Sequence, residues 1–465
     1  MTDTNHHRTS LEKAAATNLI ERSLRLSEHK NLLVIADPES LDLAEIILRE
    51  AHERAIYATC IYAPRSQQAD YAVGDQLPAT LLEAIRNADG VLSCLADGPA
   101  HLPFRRAVLQ ASITRFTRTL HAPGLTLKTF GAVAVDYDLV QQRCSELALP
   151  LVMGRRLEIR STDHLGNPHR LVVTLPGWEG PPVISDGVVG EGRWANLPPG
   201  ETFIFPTGGD GAIAINGSLP GMVLAGKESI VLHFEHGHLV RWLPEEGVAT
   251  HHLFATQLNA AREAGDPNWS NLAEIGFGVN PLIENLLGVQ IHDEKKAGTL
   301  HIALGGNAAL GGHVESTIHC DMVVEQPTVY VDGLPFLEKG AFCIDTPTWL
   351  LDVYTLQNGV PGGMPAGWWQ SVKSVHRSVA RVEQNDGQLH RVWMLKSGRQ
   401  GRLPVGSEQS TRLAARLYGI LPENAVPIDS EELVKRASQT GLPATLTPAC
   451  IWLLLRYDLV RVKGE

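Results

Sequence analysis

The chain has 465 residues, 44% of them hydrophobic, and 51 acidic against 40 basic side chains leave it a net charge of −11. Chains of this length bury more than one core, so two or three domains are expected. The acidic balance argues against a nucleic-acid partner, and no apolar run approaches the ~18 residues of a membrane-spanning helix.

The first thirty residues are polar and charged, lack the apolar stretch of a secretory signal, and read as an N-terminal extension. From Asn31 the pattern changes. NLLVIAD is a continuous apolar run, as in a buried parallel strand, and SLDLAEIILREAHERA has helical spacing with Ser40 as N-cap. IYATCIYA, TLLEAIRNAD, GVLSCLAD and LPFRRAVLQASI continue the alternation, and TLKTFGAVAVDYDLVQQRCSELA adds helix. Residues 31–150 are therefore expected to form a Rossmann-like, doubly wound parallel layer. Neither G-x-G-x-x-G nor a P-loop pattern occurs, so nothing points to a nucleotide. Asp37 and Asp97 follow strand ends, where such sheets often bind ligands; a scaffold or subunit-contact role is the plainer reading.

After Leu151 the helical period fades. LEIRSTDH, HRLVVTLPG, ETFIFPT, AIAINGSL, IVLHFEHGHLVRWL and TVYVDGLP are short strands between Gly, Pro and Asp turns, interrupted by the helix of ATHHLFATQLNAAREAG. Residues 151–347 thus read as a β-rich domain. His236 and His238 flank Gly237, a hairpin tip and not a ligand pair. Residues 348–465 begin with Gly- and Pro-rich chemistry, continue with strands around an Asn-Asp-Gly turn, and end in two helices and a strand, a small winged-helix-like accessory domain. Arg377, Arg391, Arg399 and Arg402 make it locally basic, and a protein or peptide partner is favoured there over DNA. The expected class is α/β plus α+β. Six cysteines without C-x-x-C spacing fit reduced thiols in a cytoplasmic protein, and a homodimer is one arrangement such a layer supports.

Chemistry concentrates between Leu272 and Asp321, where Glu274, Asp293, Glu294, His301, His313, His319 and Asp321 interleave with strand-like runs. Imidazole mixed with carboxylate is the ligand chemistry of hard and borderline metals. In STIHCDMVV, strand alternation points His319 and Asp321 to one face and Cys320 to the other. A single strand histidine is more often a core residue than a ligand; the clustering is what favours metal.

At these motifs the chain resembles the thermophilic-type metalloaminopeptidases, the aminopeptidase T and S family, over roughly residues 190–345. The segments LPPGETFIFP, AEIGFGVNP, DEKKAGTLHIALG and STIHCD carry the likeness. The resemblance implies metal ligands at Glu201, Glu274, His301, His319 and Asp321, holding two divalent ions such as Zn, Co or Mn. It further implies Glu294 as general acid–base residue and a peptide or small amide as substrate. Two departures stand out. The family's active-site tyrosine falls near Asn307–Ala308, where this chain has none, and the acidic residue lies two positions further from His301. Arg193 and Trp194, just ahead of Glu201, are candidates to line the substrate's approach.

A rival comes from the same broader family. Enzymes resembling 2,5-dihydroxypyridine dioxygenase hold one Fe(II) by two histidines and a carboxylate, which here would be His301 or His313 with His319 and Asp321. Glu201 and Glu274 weigh against it, since a single ion does not need them. A third reading, a degenerate metallopeptidase fold serving only as a binding module, sits poorly with an intact ligand set.

Overall fold

In a computed structural model, residues 2–71, 77–113, 117–224, 226–343, 368–394, 400–405, 408–442 and 444–464 are described. They form two compact units, one running to Cys343 and one containing the described residues from Trp368 onward. The fold is mixed α/β, with one parallel sheet and several antiparallel sheets.

The parallel sheet has five strands in the spatial order Tyr57–Tyr62, Asn31–Ala36, Gly90–Cys94, Arg118–His121 and Trp194–Asn196. Alternation in the strand Asn31–Ala36 explains its unbroken apolar run. Leu32 and Val34 pack with Leu43 and Ile47 of the helix Leu41–Glu53, while Leu33 and Ile35 pack with Leu81, Ile85, Phe104 and Val108 on the other side. Helices therefore cover both faces, and every position of the strand after Asn31 is buried.

Two elements of this layer differ from the sequence reading. The N-terminal stretch is helical over Thr2–Asn18, and Ala15, Ala16, Leu19, Ile20 and Leu24 are fully buried against the sheet. The small alanines and the polar residues before them mask this face in the sequence. The fifth strand, Trp194–Asn196, comes from well beyond the alternating stretch and pairs in parallel with Arg118–His121. After only four intervening residues Glu201 opens a strand of a different sheet, so the chain steps here from one layer to the next.

An eight-stranded antiparallel sheet is centred on Arg156–Thr162 and Pro168–Thr174. It includes the hairpin Ile230–Glu235 and His238–Leu243, whose turn places His236 and Gly237 at φ 51° and 80° and leaves His236 and His238 exposed, as expected. The seven-stranded sheet positions the site. Its four middle strands are His319–Val324, Leu300–Gly305, Leu272–Gly278 and Glu201–Ile204, all antiparallel to their neighbours. One face carries Ile204, Ile275, Phe277, Ile302, Leu304, Cys320 and Met322, every one buried. Cys320 lies on this apolar face, as alternation required.

The second unit has two three-stranded antiparallel sheets and the helices Glu408–Ile420, Ser430–Gln439 and Thr447–Arg456. The expected hairpin turns at Asp386 and Gly387, with φ 50° and 78°. The helix Glu408–Ile420 was absent from the sequence reading. Two of the arginines taken as a basic patch are used internally. Arg377 lies 4.5 Å above the Tyr418 ring and donates to the Tyr418 carbonyl, and Arg391 pairs with Asp458 at 3.7 Å. Arg399, the side chain of Arg402 and the Gly- and Pro-rich stretch up to residue 367 lie outside the described residues. Among the described residues no helix is long and apolar enough to cross a membrane.

Candidate metal centre

Register alone gathers the five predicted ligands. Glu201 stands opposite Gly278, His301 opposite Gly276, Glu274 opposite Ala303, Ala303 opposite Asp321, and Gly305 opposite His319. Directly opposed residues of antiparallel strands share a face, so all five side chains rise from one side of the sheet. The small residues between them make the room. A Cβ on Gly276 would sit 2.1 Å from His301 Nε2, and one on Gly278 would sit 2.1 Å from the Lys296 carbonyl oxygen. The alternation Glu-x-Gly-x-Gly in AEIGFG is thus one ligand followed by two clearances, the first for an imidazole and the second for the chain segment that carries Glu294 and Lys295.

Glu274 lies between the two imidazoles, with Oε1 3.3 Å from His301 Nε2 and Oε2 3.6 Å from His319 Nε2. Glu201 Oε2 is 3.4 Å from His301 Nε2, and Asp321 Oδ1 is 3.3 Å from His319 Nε2. Three overlapping triads have ligand atoms within 4.8 Å of one another: Glu201–Glu274–His301, Glu274–His319–Asp321 and Glu294–His301–Asp321. Glu201 Oε2 and Glu274 Oε2 are buried without a hydrogen-bond donor. Buried carboxylate oxygens are costly unless paired, and a divalent cation is a partner that this set of two imidazoles and four carboxylates suits.

Neighbouring groups aim these side chains. His319 Nδ1 donates to the Gly306 carbonyl at 2.6 Å, which turns Nε2 toward the carboxylates. The Gln290 amide donates to Asp321, and the Lys295 ammonium donates to both Glu201 and Glu294. Burial pushes the Glu294 and Glu274 carboxyls upward. Burial alone would lower the imidazoles, but the hydrogen bond to Glu274 and the charge of Glu201 lift His301 to about 9. The charge of Asp321, its hydrogen bond and Glu274 lift His319 to about 10. Asp321 is held below the usual carboxylate range, because its two histidine neighbours outweigh its burial.

The remaining candidates separate cleanly. Glu294 is 6% exposed at the end of the short helix Gln290–Asp293, so it is no solvated surface charge. Asp293 is committed elsewhere: its carboxylate accepts from the Leu287 and Gly288 amides and contacts His292. His313 is exposed and belongs to none of the triads, which removes it from a facial set among the described residues. Lys295, fully buried, was not among the candidates from the sequence; its one signal was a lysine within DEKKAG, a segment whose backbone packs against Gly278. Asn307, where the family's tyrosine would fall near, accepts from the Val314 amide and donates to the Ala273 carbonyl, bracing the loop that follows the His301 strand.

The acidic face forms one wall of a cavity of about 280 Å³. The other wall comes from the C-terminal ends of the parallel strands, the usual ligand side of such sheets, and includes Asp97, Arg105, His121, Trp194 and Asn196. Trp194 therefore lines the cavity as expected, whereas Arg193 is exposed and outside its lining. Asp37 is buried, accepts the Glu39 amide and the Ser40 hydroxyl, and does not reach the cavity.

No protein-family model matches the chain, and no curated protein matches it. Solved structures do. The 2,5-dihydroxypyridine dioxygenase from Pseudomonas putida KT2440 superposes with a TM-score of 0.53 at 17% identity, covering 73% of this chain and 98% of its own. AmpT from Thermus thermophilus, an aminopeptidase, superposes with a TM-score of 0.49 at 20% identity, covering 72% and 99%. At 17% identity the likeness to the dioxygenase is one of fold alone.

Proposed function

We propose that this chain is a metal-dependent hydrolase of the aminopeptidase type, cleaving a peptide or small amide bond. Glu201 and His301 would hold one divalent ion, His319 and Asp321 a second, and Glu274 would bridge them. The observation that carries the reading is that Glu274 belongs to two triads at once, each with its own imidazole and its own second carboxylate. Charge supports a metal in general: four carboxylates face one ammonium, Lys295, an excess of negative charge that divalent cations relieve. When bound, such ions acidify a water molecule and polarise the carbonyl it attacks. Glu294 then takes the proton and delivers it to the leaving nitrogen, as general acid–base work requires. Lys295 holds the Glu294 carboxylate in place, and the sheet's apolar underside keeps the ligand strands rigid.

A second reading rests on Lys295. Its ammonium lies on Glu201, where a second ion would also bind, and this would leave a mononuclear Fe(II) centre on His301, His319 and Asp321, two histidines and a carboxylate, in a ring-cleaving dioxygenase. Elemental analysis of protein purified in air and without air separates the two. The hydrolase reading expects close to two zinc, cobalt or manganese ions per chain, falling in Glu201→Ala and Glu274→Ala. One iron per chain, unchanged by either substitution, would overturn it.

A further inference from the structure

We propose that the substrate of this cavity carries a carboxylate that Arg105 grips, which makes it a small acid of about dipeptide size and not an uncharged amide. Arg105 projects from the helix Leu102–Ile113 into the cavity wall built by the parallel layer, and it is 6% exposed. Its guanidinium is only partly satisfied. Nη1 donates to Asp97 Oδ1 at 3.0 Å, and Nε is buried with no acceptor. Asp97 itself keeps 43% of its side chain in solvent, so the arginine is the fixed member of the pair and the acid the loose one.

A buried guanidinium presents donors in a planar fork that matches a carboxylate two bonds at a time. One contact to an exposed aspartate leaves that fork open for a second anion. Arg106 lines the same wall, so two cations there face a single carboxylate. The opposite wall is the acidic cluster. A ligand spanning the two would put its anionic end at Arg105 and its electron-rich or ammonium-bearing end at the cluster. At about 280 Å³ the space lies near the bottom of the range of small-molecule pockets. A long peptide does not fit in it, whereas two amino-acid residues with a free terminal carboxylate do.

Which bond breaks rests on the hydrolase reading; the carboxylate grip does not. The test is calorimetric binding of alanyl-alanine and of alanyl-alanine amide to the full-length, metal-free protein, alongside hydrolysis assays of both on the metal-loaded protein. The acid should bind about tenfold or more tightly than the amide, the usual scale for a charge-assisted hydrogen bond. Arg105→Met should erase the difference, and Arg105→Lys should keep part of it. Asp97→Asn, which removes the competing anion, should tighten binding of the acid, and it decides the matter if Arg105→Met does not fold. Equal affinity of acid and amide in the parent, or weaker binding of the acid in Asp97→Asn, would overturn the proposal. If the acid binds through Arg105 but no amide is cleaved, the hydrolase reading falls and the grip stands. If both are cleaved without Arg105-dependent preference, the reverse holds.

Discussion

Replacing His319 or Asp321 by alanine takes a side chain from the triad that each shares with Glu274, yet leaves the apolar underside of its strand untouched. Activity should vanish in both variants while the far-UV circular dichroism spectrum stays as in the parent. Turnover within tenfold of the parent would make the two residues structural. Glu294→Gln keeps shape and hydrogen bonding but removes the titratable group. Its metal content and substrate affinity should hold while turnover falls by roughly 10²-fold, the lower end of general acid–base contributions. Loss of metal would instead make Glu294 a ligand, a role open to it through its triad with His301 and Asp321. Gly276→Ala probes the same centre from the side. The added methyl meets the His301 ring 2.1 Å away, so either the ring or the strand shifts. Metal affinity should drop with little change in secondary structure, which a titration with Zn against a competing chelator measures.

At the scale of elements, charge on the outer sheet offers a pH test away from the centre. Glu158 in the strand Arg156–Thr162 is gripped by Arg170 and Arg160, and those bonds hold its carboxyl at about 2 against burial that pushes the other way. A carboxyl depressed on folding stabilises the folded state above its unfolded value, and that contribution is lost as pH falls toward the folded one. The melting-temperature gap between the parent and Glu158→Gln should therefore be constant above pH 5 and shrink from about pH 4 toward pH 2. A gap independent of pH would show that the arginines add nothing. Strands and helices with strong periodicity were readable in the sequence: NLLVIAD, the helix after Ser40, and His319-x-Asp321 fell where alternation put them. The pairing of His319 with Asp321 was readable because a period of two places every second residue on one face, whereas Glu201, Glu274 and His301 were assigned as ligands through the family resemblance. What was not readable depends on partners distant in sequence. Trp194–Asn196 is too short to carry a pattern and becomes a strand only because Arg118–His121 offers an open edge. Lys295 and Arg105 look like solvated charges until the sheets enclose them.

For the molecule as a whole, the division after Cys343 has a direct test. A chain truncated there should remain folded, bind metal to the same stoichiometry as the full protein, and keep its activity, because every ligand and all of the cavity lining precede that point. Insoluble or metal-free protein would mean that the second unit completes the catalytic core.

The crossing between Asn196 and Glu201 limits how this protein can be re-engineered. One short stretch carries Trp194 and Asn196 on one wall of the cavity and Glu201 on the opposite, acidic wall. A chimera joined just ahead of Trp194 would take the whole alternating layer from one parent yet inherit part of its ligand wall from the other. It would also set the second parent's strand against Arg118–His121, and a poor match there would open an edge, the kind of surface on which sheets recruit foreign strands and precipitate. The two layers are therefore inherited as a single part, and new specificities are better sought by exchanging side chains within the cavity than by shuffling the layers that form it.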